Sequence, residues 1–268
     1  MMLMKTRVRI VITLWIAIFM FSRPISAFEI PDKWEKSTVA IGMRIFELKD
    51  QSTGQVEEKR ALSGTGVLIK TDRFILVTAK HVVFDNQGNQ FPNLCFWGNK
   101  LDGTEFERSF SEFSKKWPNL KWVAHPDPDI DIAAAIVGLD LEKDSIAFVT
   151  LEDFEDVINI KKGTDVYYLG FPLNFGASYG SNPMLRKGIV ALKEKKDNFF
   201  YIDATVAPGN SGGPVFMLQN DIPKFLGLVS RFEPFFRAGQ YFHAGISVVY
   251  PVDWIRNLLE SKEFKATY

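Results

Sequence analysis

The chain has 268 residues, 46% hydrophobic and 14% aromatic, enough apolar side chain to build a large core. Its 32 basic and 32 acidic residues cancel, and no run of like charge is long enough to make a tail, so neither nucleic acid nor an anionic membrane surface is expected as a partner. A single cysteine, Cys95, excludes an intrachain disulfide and a multi-cysteine metal site; between Leu94 and Phe96 it reads as apolar filler in a strand.

The first 27 residues read as an address. Lys5, Arg7 and Arg9 precede an apolar run from Ile10 to Phe21, and Pro24-Ile25-Ser26-Ala27 follows, the layout of a secretory signal. The run is shorter than the ~20 residues that span a bilayer comfortably. Cleavage after Ala27 would start the mature chain at Phe28. Ile25 is bulky for a position before the cut, so the alternative is an uncleaved N-terminal anchor, and membrane contact is expected only in that case. Both versions export the chain, and the scarcity of cysteine suits a bacterial periplasm or exterior.

From Thr38 onward the sequence predicts short strands separated by turns. Thr38–Leu48 and Arg60–Lys70 flank Ser52-Thr53-Gly54 as a hairpin, and Phe74–Thr78 reads as a buried strand. Further strands are expected at 93–97, 122–125, 130–137, 165–169, 185–192, 199–204, 214–218, 225–230 and 241–249. Such spacing argues for an all-β barrel or sandwich. A short helix is expected over 151–157. A C-terminal helix is expected over about 251–262, with Pro251 in its first turn and Trp254, Ile255, Leu258 and Leu259 as its apolar stripe.

The chemistry gathers at Ala207-Pro208-Gly209-Asn210-Ser211-Gly212-Gly213-Pro214. Glycine gives up more chain entropy than any other residue and proline fixes φ, so this composition suits a rigid turn that brings backbone N–H groups close to a reacting atom. Ser211 would be the nucleophile, with the N–H groups of Gly209 and Ser211 aimed at a developing oxyanion. The bland alternative, a tight turn whose serine caps a backbone group, explains the octapeptide alone equally well. What separates the two is a base and an orienting acid elsewhere in the chain.

A serine hydroxyl needs a base within hydrogen-bond reach, held in a fixed tautomer. Of three histidines, His81 leaves the end of the buried strand Phe74–Thr78, beside a strand, Gly64-Thr65-Gly66, that admits close backbone approach. His125, before Pro126 in a loop rich in proline and aspartate, reads as surface. His243 reads as a packed structural histidine. For the acid, Asp131 opens an apolar strand and is the choice, with Asp129 as fallback; Asp127 and Asp129 read as turn residues. Three scattered histidines offer no metal-ligand spacing, and no metal or other cofactor is expected.

TAKHV around His81, DIA at Asp131 and GNSGGP around Ser211, in that order, resemble the chymotrypsin/trypsin-like serine protease family. YIDATVAPGNSGGPVF (201–216), YLGFP (168–172) and GIV (188–190) most resemble its bacterial HtrA-type branch. The resemblance spans roughly 39–259. It implies an all-β fold of two six-stranded antiparallel β-barrels with a C-terminal α-helix: first barrel about 28–140, second about 141–250, helix about 251–262. It implies a serine endopeptidase whose triad is His81, Asp131 and Ser211, with Gly209 and Ser211 forming the oxyanion hole, acting on proteins or peptides. Thr205 would lie at the base of the pocket for the side chain before the cut bond, the P1 residue. Ser230 and Arg231 would line the substrate strand, and Ala244-Gly245 a pocket wall. Neutral Thr205 offers no counter-charge to a basic P1, so a small or apolar P1 is expected, with His243 or Arg231 as routes to an acidic one. Asn210 stands where digestive relatives carry an aspartate that pairs with a newly cut N-terminus, so activation by that route is not expected. The branch's C-terminal PDZ domain has no counterpart in 212–268, which puts HtrA-type processive behaviour and cage assembly in doubt.

Two rivals compete. Gly209-x-Ser211-x-Gly213 also fits the nucleophile elbow of α/β-hydrolases, but that fold needs strand-turn-helix at the serine and the order serine, acid, histidine. The second is a catalytically silent protease-like domain that binds exported proteins, its cleft obstructed by Phe232, Phe235 and Phe236.

Overall fold

The computed structural model describes residues 30–50, 55–116, 120–139, 144–177, 181–193 and 198–267. The signal segment and the turn expected at Ser52-Thr53-Gly54 lie outside them. Residues Pro31–Tyr268 form one compact unit.

Helix α1 (Asp32–Ser37) comes first. Its Trp34 is 2% exposed, stacks on Phe216 with ring centres 5.0 Å apart and meets Phe225 edge-on, which fixes the start of the unit to strands late in the chain. β1 (Thr38–Asp50) and β2 (Gln55–Lys70) then pair antiparallel from Thr38↔Val67 to Asp50↔Gln55, longer at both strands than the sequence predicts. β3 (Phe74–Thr78) is buried along its whole length: Phe74 to Val77 are apolar, and the Thr78 hydroxyl donates to the Thr65 carbonyl at 2.6 Å. Helix α2 (Lys80–Val83) follows directly, then β4 (Leu94–Asn99), β5 (Glu105–Ser109), helix α3 (Phe110–Lys116), β6 (Val123–Ala124), β7 (Ala133–Ile136) and β8 (Val149–Thr150). Val39, Ile41, Leu68, Leu76, Val82, Phe96 and Ala135 meet in the core of this half. Cys95 is buried in β4, as its apolar neighbours imply.

The second half is a closed barrel of six strands. In chain order these are β9 (Asp165–Gly170), β10 (Met184–Lys193), β11 (Phe200–Asp203), β12 (Pro214–Gln219), β13 (Ile222–Arg237) and β14 (Gln240–Pro251). They close in the order β10-β11-β14-β13-β12-β9 around Val166, Tyr168, Ile202, Val215, Leu226, Val229 and Val249. Helix α4 (Val252–Glu260) starts just after Pro251 and buries Val252, Ile255 and Leu258. A short α5 (Lys262–Lys265), capped by the Ser261 hydroxyl on the Phe264 N–H, extends it.

Three expectations change. The first half is an eight-stranded sheet, β5-β4-β1-β2-β3-β7-β6 with β8 beside β2, and no closure into a six-stranded barrel occurs among the described residues. Its end strands are β5, which the sequence reading missed, and β6, only two residues long and too short to complete a ring. The expected helix over 151–157 is two 3₁₀ turns, Leu151–Asp153 and Val157–Asn159, the first held by a capping box between Thr150 and Asp153. His125 is 5% exposed, not a surface residue: its ring lies edge-on to Trp254 at 5.5 Å, and its Nδ1 accepts the Asp127 N–H at 3.1 Å. Burial lowers its pKa, because the charged ring is costly to desolvate.

Candidate active site

β3 delivers His81. The buried strand ends at Thr78, Ala79 turns, and the single helical turn α2 presents the imidazole with its side chain 48% exposed. Asp131 arrives from the neighbouring strand, two residues before β7, which pairs with β3 from Thr78↔Ala133 onward. The two side chains meet: His81 Nδ1 lies 2.8 Å from Asp131 Oδ2, and the His81 backbone N–H donates to Asp131 Oδ1 at 3.0 Å. An ionised carboxylate only accepts, so Nδ1 carries a ring proton and Nε2 is the nitrogen on the far side of the ring from the acid.

The Asp131 side chain is 16% exposed. Burial alone would raise its pKa, but hydrogen bonds and charge from His81 and the hydroxyl of Ser230 outweigh it, and the net shift is downward. Its neighbours do other work. Asp127 Oδ1 accepts the Asp129 N–H at 2.9 Å, the turn-capping role read for it, and the Asp129 carbonyl takes the Tyr250 hydroxyl at 2.9 Å.

The second half supplies Ser211. The loop from Ala207 to Gly213 is held against β2 by two bonds across the halves: Thr65 N–H to the Ser211 carbonyl at 2.8 Å, and Thr65 Oγ1–H to the Gly209 carbonyl at 2.6 Å. All three glycines of this loop are required, Gly213 because a Cβ there would stand 2.2 Å from the Leu169 carbonyl. A Cβ on Gly212 would stand 2.1 Å from the Thr65 carbonyl and from Thr78 Oγ1, and one on Gly209, whose φ is +99°, 2.2 Å from the Phe171 carbonyl. Asn210, Gly212 and Gly213 spend their N–H groups on the carbonyls of Ala207, Val229 and Asn210. Among the described residues, the N–H groups of Gly209 and Ser211 meet no backbone acceptor.

Ser211 Oγ donates to the Ser230 carbonyl at 2.7 Å, and the Ser230 hydroxyl donates to Asp131 Oδ2. A hydroxyl has one proton, so in this rotamer Ser211 does not donate to His81. The sequence reading placed Ser230 on the substrate strand and missed its bond to the acid; Thr65, between two glycines, was the visible hint of the bonds that join the halves. Asn210 is 1% exposed, and among the described residues neither polar atom of its side chain has a hydrogen-bond partner.

The expected pocket residues are spread out. Thr205 and Ala244 are exposed; the Thr205 carbonyl accepts the Tyr168 hydroxyl at 2.7 Å. Gly245, φ +77°, gives its N–H to His243 Nδ1 at 2.7 Å, and His243 Nε2 lies 2.9 Å from the Val206 carbonyl. His243 therefore carries its proton on Nε2, and its ring stacks on Phe232 at 4.6 Å, the packed role read for it. Arg231 is exposed, with its guanidinium 5.7 Å from the Phe199 ring centre and 3.6 Å from Glu233. An open groove of about 450 Å³, lined by Pro172, Leu173, Phe175, Met184, Arg186 and Ala207 among others, holds none of the triad candidates. No group of three or more His, Cys, Asp or Glu side chains gathers as a metal site among the described residues, and no helix among them is long and apolar enough to cross a membrane.

Known proteins resemble this chain in sequence and in fold. Residues 64–222 match the family model of the trypsin-like peptidase domain. Curated relatives described as probable periplasmic serine endoprotease DegP-like include one from Halomonas elongata, 28% identical over 75% of this chain and 35% of its own length. Others are from Pseudomonas putida, 27% over 71% and 32%, and Bartonella henselae, 30% over 59% and 26%. The chain thus spans about a third or less of the length of these relatives. A solved HtrA-type protease with a decapeptide superposes with a TM-score of 0.50 over 82% of this chain and 61% of its own, at 16% identity, a likeness of fold.

Proposed function

The chain belongs to the trypsin-like peptidase domain family, and on that premise we propose that it is an exported serine endopeptidase that hydrolyses peptide bonds through an acyl-enzyme. The observation that carries the reading is the pair His81–Asp131. The carboxylate takes both the ring and the backbone N–H of the histidine, which leaves Nε2 as a base oriented away from Asp131.

In this mechanism the Ser211 hydroxyl rotates from the Ser230 carbonyl to His81 Nε2. Oγ attacks the scissile carbonyl as Nε2 takes its proton, and the imidazolium then gives that proton to the leaving amine. Asp131 stays ionised and holds the imidazolium. The N–H groups of Gly209 and Ser211 take the oxyanion, a role in which the loss of one donor typically costs 10²–10³ in rate, roughly. Water repeats the sequence on the acyl-enzyme with His81 again as base.

The substrate would pair with β13 at Ser230 and Arg231, and Thr205, Ala244 and Gly245 would border the P1 side chain. Neutral Thr205 favours a small or apolar P1. The eight-stranded sheet takes the place of the first barrel, and the relatives' described periplasmic location, with the N-terminal basic and apolar segment, supports export. A nucleophile elbow is disfavoured because β12 continues directly from the Ser211 loop as a strand. Incubating the chain with an unfolded protein and mapping the new termini by mass spectrometry tests the proposal. Cuts absent with Ser211→Ala and falling after small or apolar residues support it; an intact substrate contradicts it.

A further inference from the structure

Asp131 is not carried by a strand. β6 ends at Ala124 and β7 begins at Ala133, and the loop between them contains Pro126 and Pro128, which have no N–H to give. Two backbone bonds brace this loop from within. The His125 N–H donates to the Ile132 carbonyl at 2.9 Å, and the Ile130 N–H to the Asp127 carbonyl at 3.2 Å. Among the described residues the carbonyls of Pro128 and Asp129, just before the acid, meet no backbone N–H.

Side chains take both carbonyls. Lys80 Nζ donates to the Pro128 carbonyl at 2.6 Å, and the Tyr250 hydroxyl donates to the Asp129 carbonyl at 2.9 Å. The two donors come from different halves of the molecule. Lys80 opens α2 and precedes His81, so its ammonium fastens the loop to the turn that presents the base. Tyr250 lies near the end of β14, in the barrel that supplies Ser211. It is 3% exposed, with its ring edge-on to Phe199 at 5.9 Å, and this packing makes its hydroxyl a placed donor. Burial raises the Tyr250 pKa, so the hydroxyl keeps its proton and goes on donating at neutral pH. Lys80 thus supplies a charge-assisted bond and Tyr250 a rigid one.

We infer that Lys80 and Tyr250 are positioning residues for the proposed catalytic acid: by holding consecutive carbonyls of its loop, they set where the Asp131 carboxylate meets His81 and Ser230. This rests on the triad of the proposed peptidase. The carboxylate has donors to satisfy in both halves. Its Oδ1 takes the His81 backbone N–H at 3.0 Å, its Oδ2 lies 2.8 Å from His81 Nδ1, and the Ser230 hydroxyl on β13 donates to the same Oδ2. A carboxylate on an unpaired loop would follow whichever half moved. Lys80 references the loop to α2, and Tyr250 references it to the barrel. The two bonds of Thr65 join the halves at the nucleophile, and Tyr250 joins them at the acid. Turnover is sensitive to such placement, since a misplacement of ~1 Å can cost ~10² in rate.

The test follows fluorophosphonate labelling of the whole chain against probe concentration, which separates the limiting rate from the half-saturating concentration. Tyr250→Phe removes only the hydroxyl, and Lys80→Met removes only the charged donor. Each should lower the limiting rate roughly tenfold and leave half-saturation within about twofold, because the residues act on the reacting geometry and not on binding. Lys80→Arg, which keeps a donor, should recover most of the loss. Beside Asp131→Asn, either substitution should change the rate by less than about twofold, as expected of groups that act through that carboxylate. A wild-type rate in either single variant would overturn the inference for that residue, and losses that persist undiminished beside Asp131→Asn would overturn it for both. Proton NMR repeats the comparison without catalysis. The low-field Nδ1–H resonance of His81, identified by its absence from His81→Ala, should shift or broaden in both single variants. If the wild type takes no label but this resonance responds, the peptidase reading fails and the positioning role stands; an unchanged resonance overturns it. If Tyr250→Phe does not melt cooperatively, Lys80→Met and Lys80→Arg carry the same comparisons.

Discussion

The hydroxyl of Ser211 donates to the carbonyl of Ser230, and the hydroxyl of Ser230 donates to Asp131, so the proposed nucleophile and the proposed acid are joined through one residue of β13. Ser230 is 1% exposed. Its hydroxyl is one of the donors that hold the Asp131 pKa down, and its carbonyl accepts the Ser211 hydroxyl at 2.7 Å. Ser230→Ala keeps the carbonyl and removes the donor. A hydrogen bond to a charged group is worth ~1.5–3 kcal/mol, so the rate of fluorophosphonate labelling should fall by roughly tenfold or more, while Ser230→Thr should restore most of it. An unchanged rate in Ser230→Ala would remove this residue from the positioning of Asp131.

Asp131→Asn should leave the fold intact and lower kcat/KM by ~10⁴, the scale seen when the aspartate of a related triad is disabled. The same residue makes stability depend on pH. Its folded pKa lies below the ordinary carboxylate value, so its contribution is present above the unfolded pKa of ~3.9 and is lost as pH falls through the lower folded value. Melting temperatures of the wild type should therefore drop more between pH 6 and pH 3 than those of Asp131→Asn. Parallel curves would contradict the assignment.

Gly209→Ala tests the oxyanion loop. With φ at +99° and the Phe171 carbonyl 2.2 Å from the new Cβ, the loop must move, and the Gly209 N–H moves with it. Activity should fall by at least ~10², in kcat more than in KM, as expected for a group that binds the transition state. Labelling and turnover at wild-type rates would show that this N–H is not used.

Asn210→Asp tests the environment before the nucleophile. The side chain is buried with no hydrogen-bond partner among the described residues, so a carboxylate there would be desolvated and unpaired. The variant should be less stable than the wild type at pH 7, and the gap should narrow as pH falls and the carboxyl becomes neutral. A variant as stable as the wild type at pH 7 would mean that a cation reaches this position.

Trp34 ties α1 to strands β12 and β13. Its ring fills the space between Phe216 and Phe225, and Trp34→Ala should destabilise the unit by ~3–5 kcal/mol, read from chemical denaturation. A loss below ~1 kcal/mol would show that α1 is not part of the folded core.

Strand β3 was legible because four apolar residues in a row, Phe74 to Val77, closed by a β-branched threonine, leave few alternatives, and β9 to β14 because recognisable turns separate most of their strands. The triad candidates were legible because His81, Asp131 and Ser211 each sit at a strand end with a distinctive neighbour. What escaped depended on distant partners. β5 carries Glu105, Glu107 and Arg108, and its strand is set by pairing with β4 and by ion pairs to Arg44 and Arg60, which local propensity does not encode. His125 read as surface because its loop is polar; its burial comes from Trp254, more than a hundred residues later. The length of β13 was hidden as well, since Phe232 to Phe236 read as an obstruction, whereas its pairing with β14 runs on to Arg237↔Gln240.

The most direct measurement is labelling of the purified folded chain by a fluorophosphonate probe, with Ser211→Ala and His81→Ala alongside. The account predicts that the wild type is labelled at Ser211 and that both substitutions abolish labelling while melting cooperatively. A folded wild type that takes no label, or label that persists in Ser211→Ala, would contradict it.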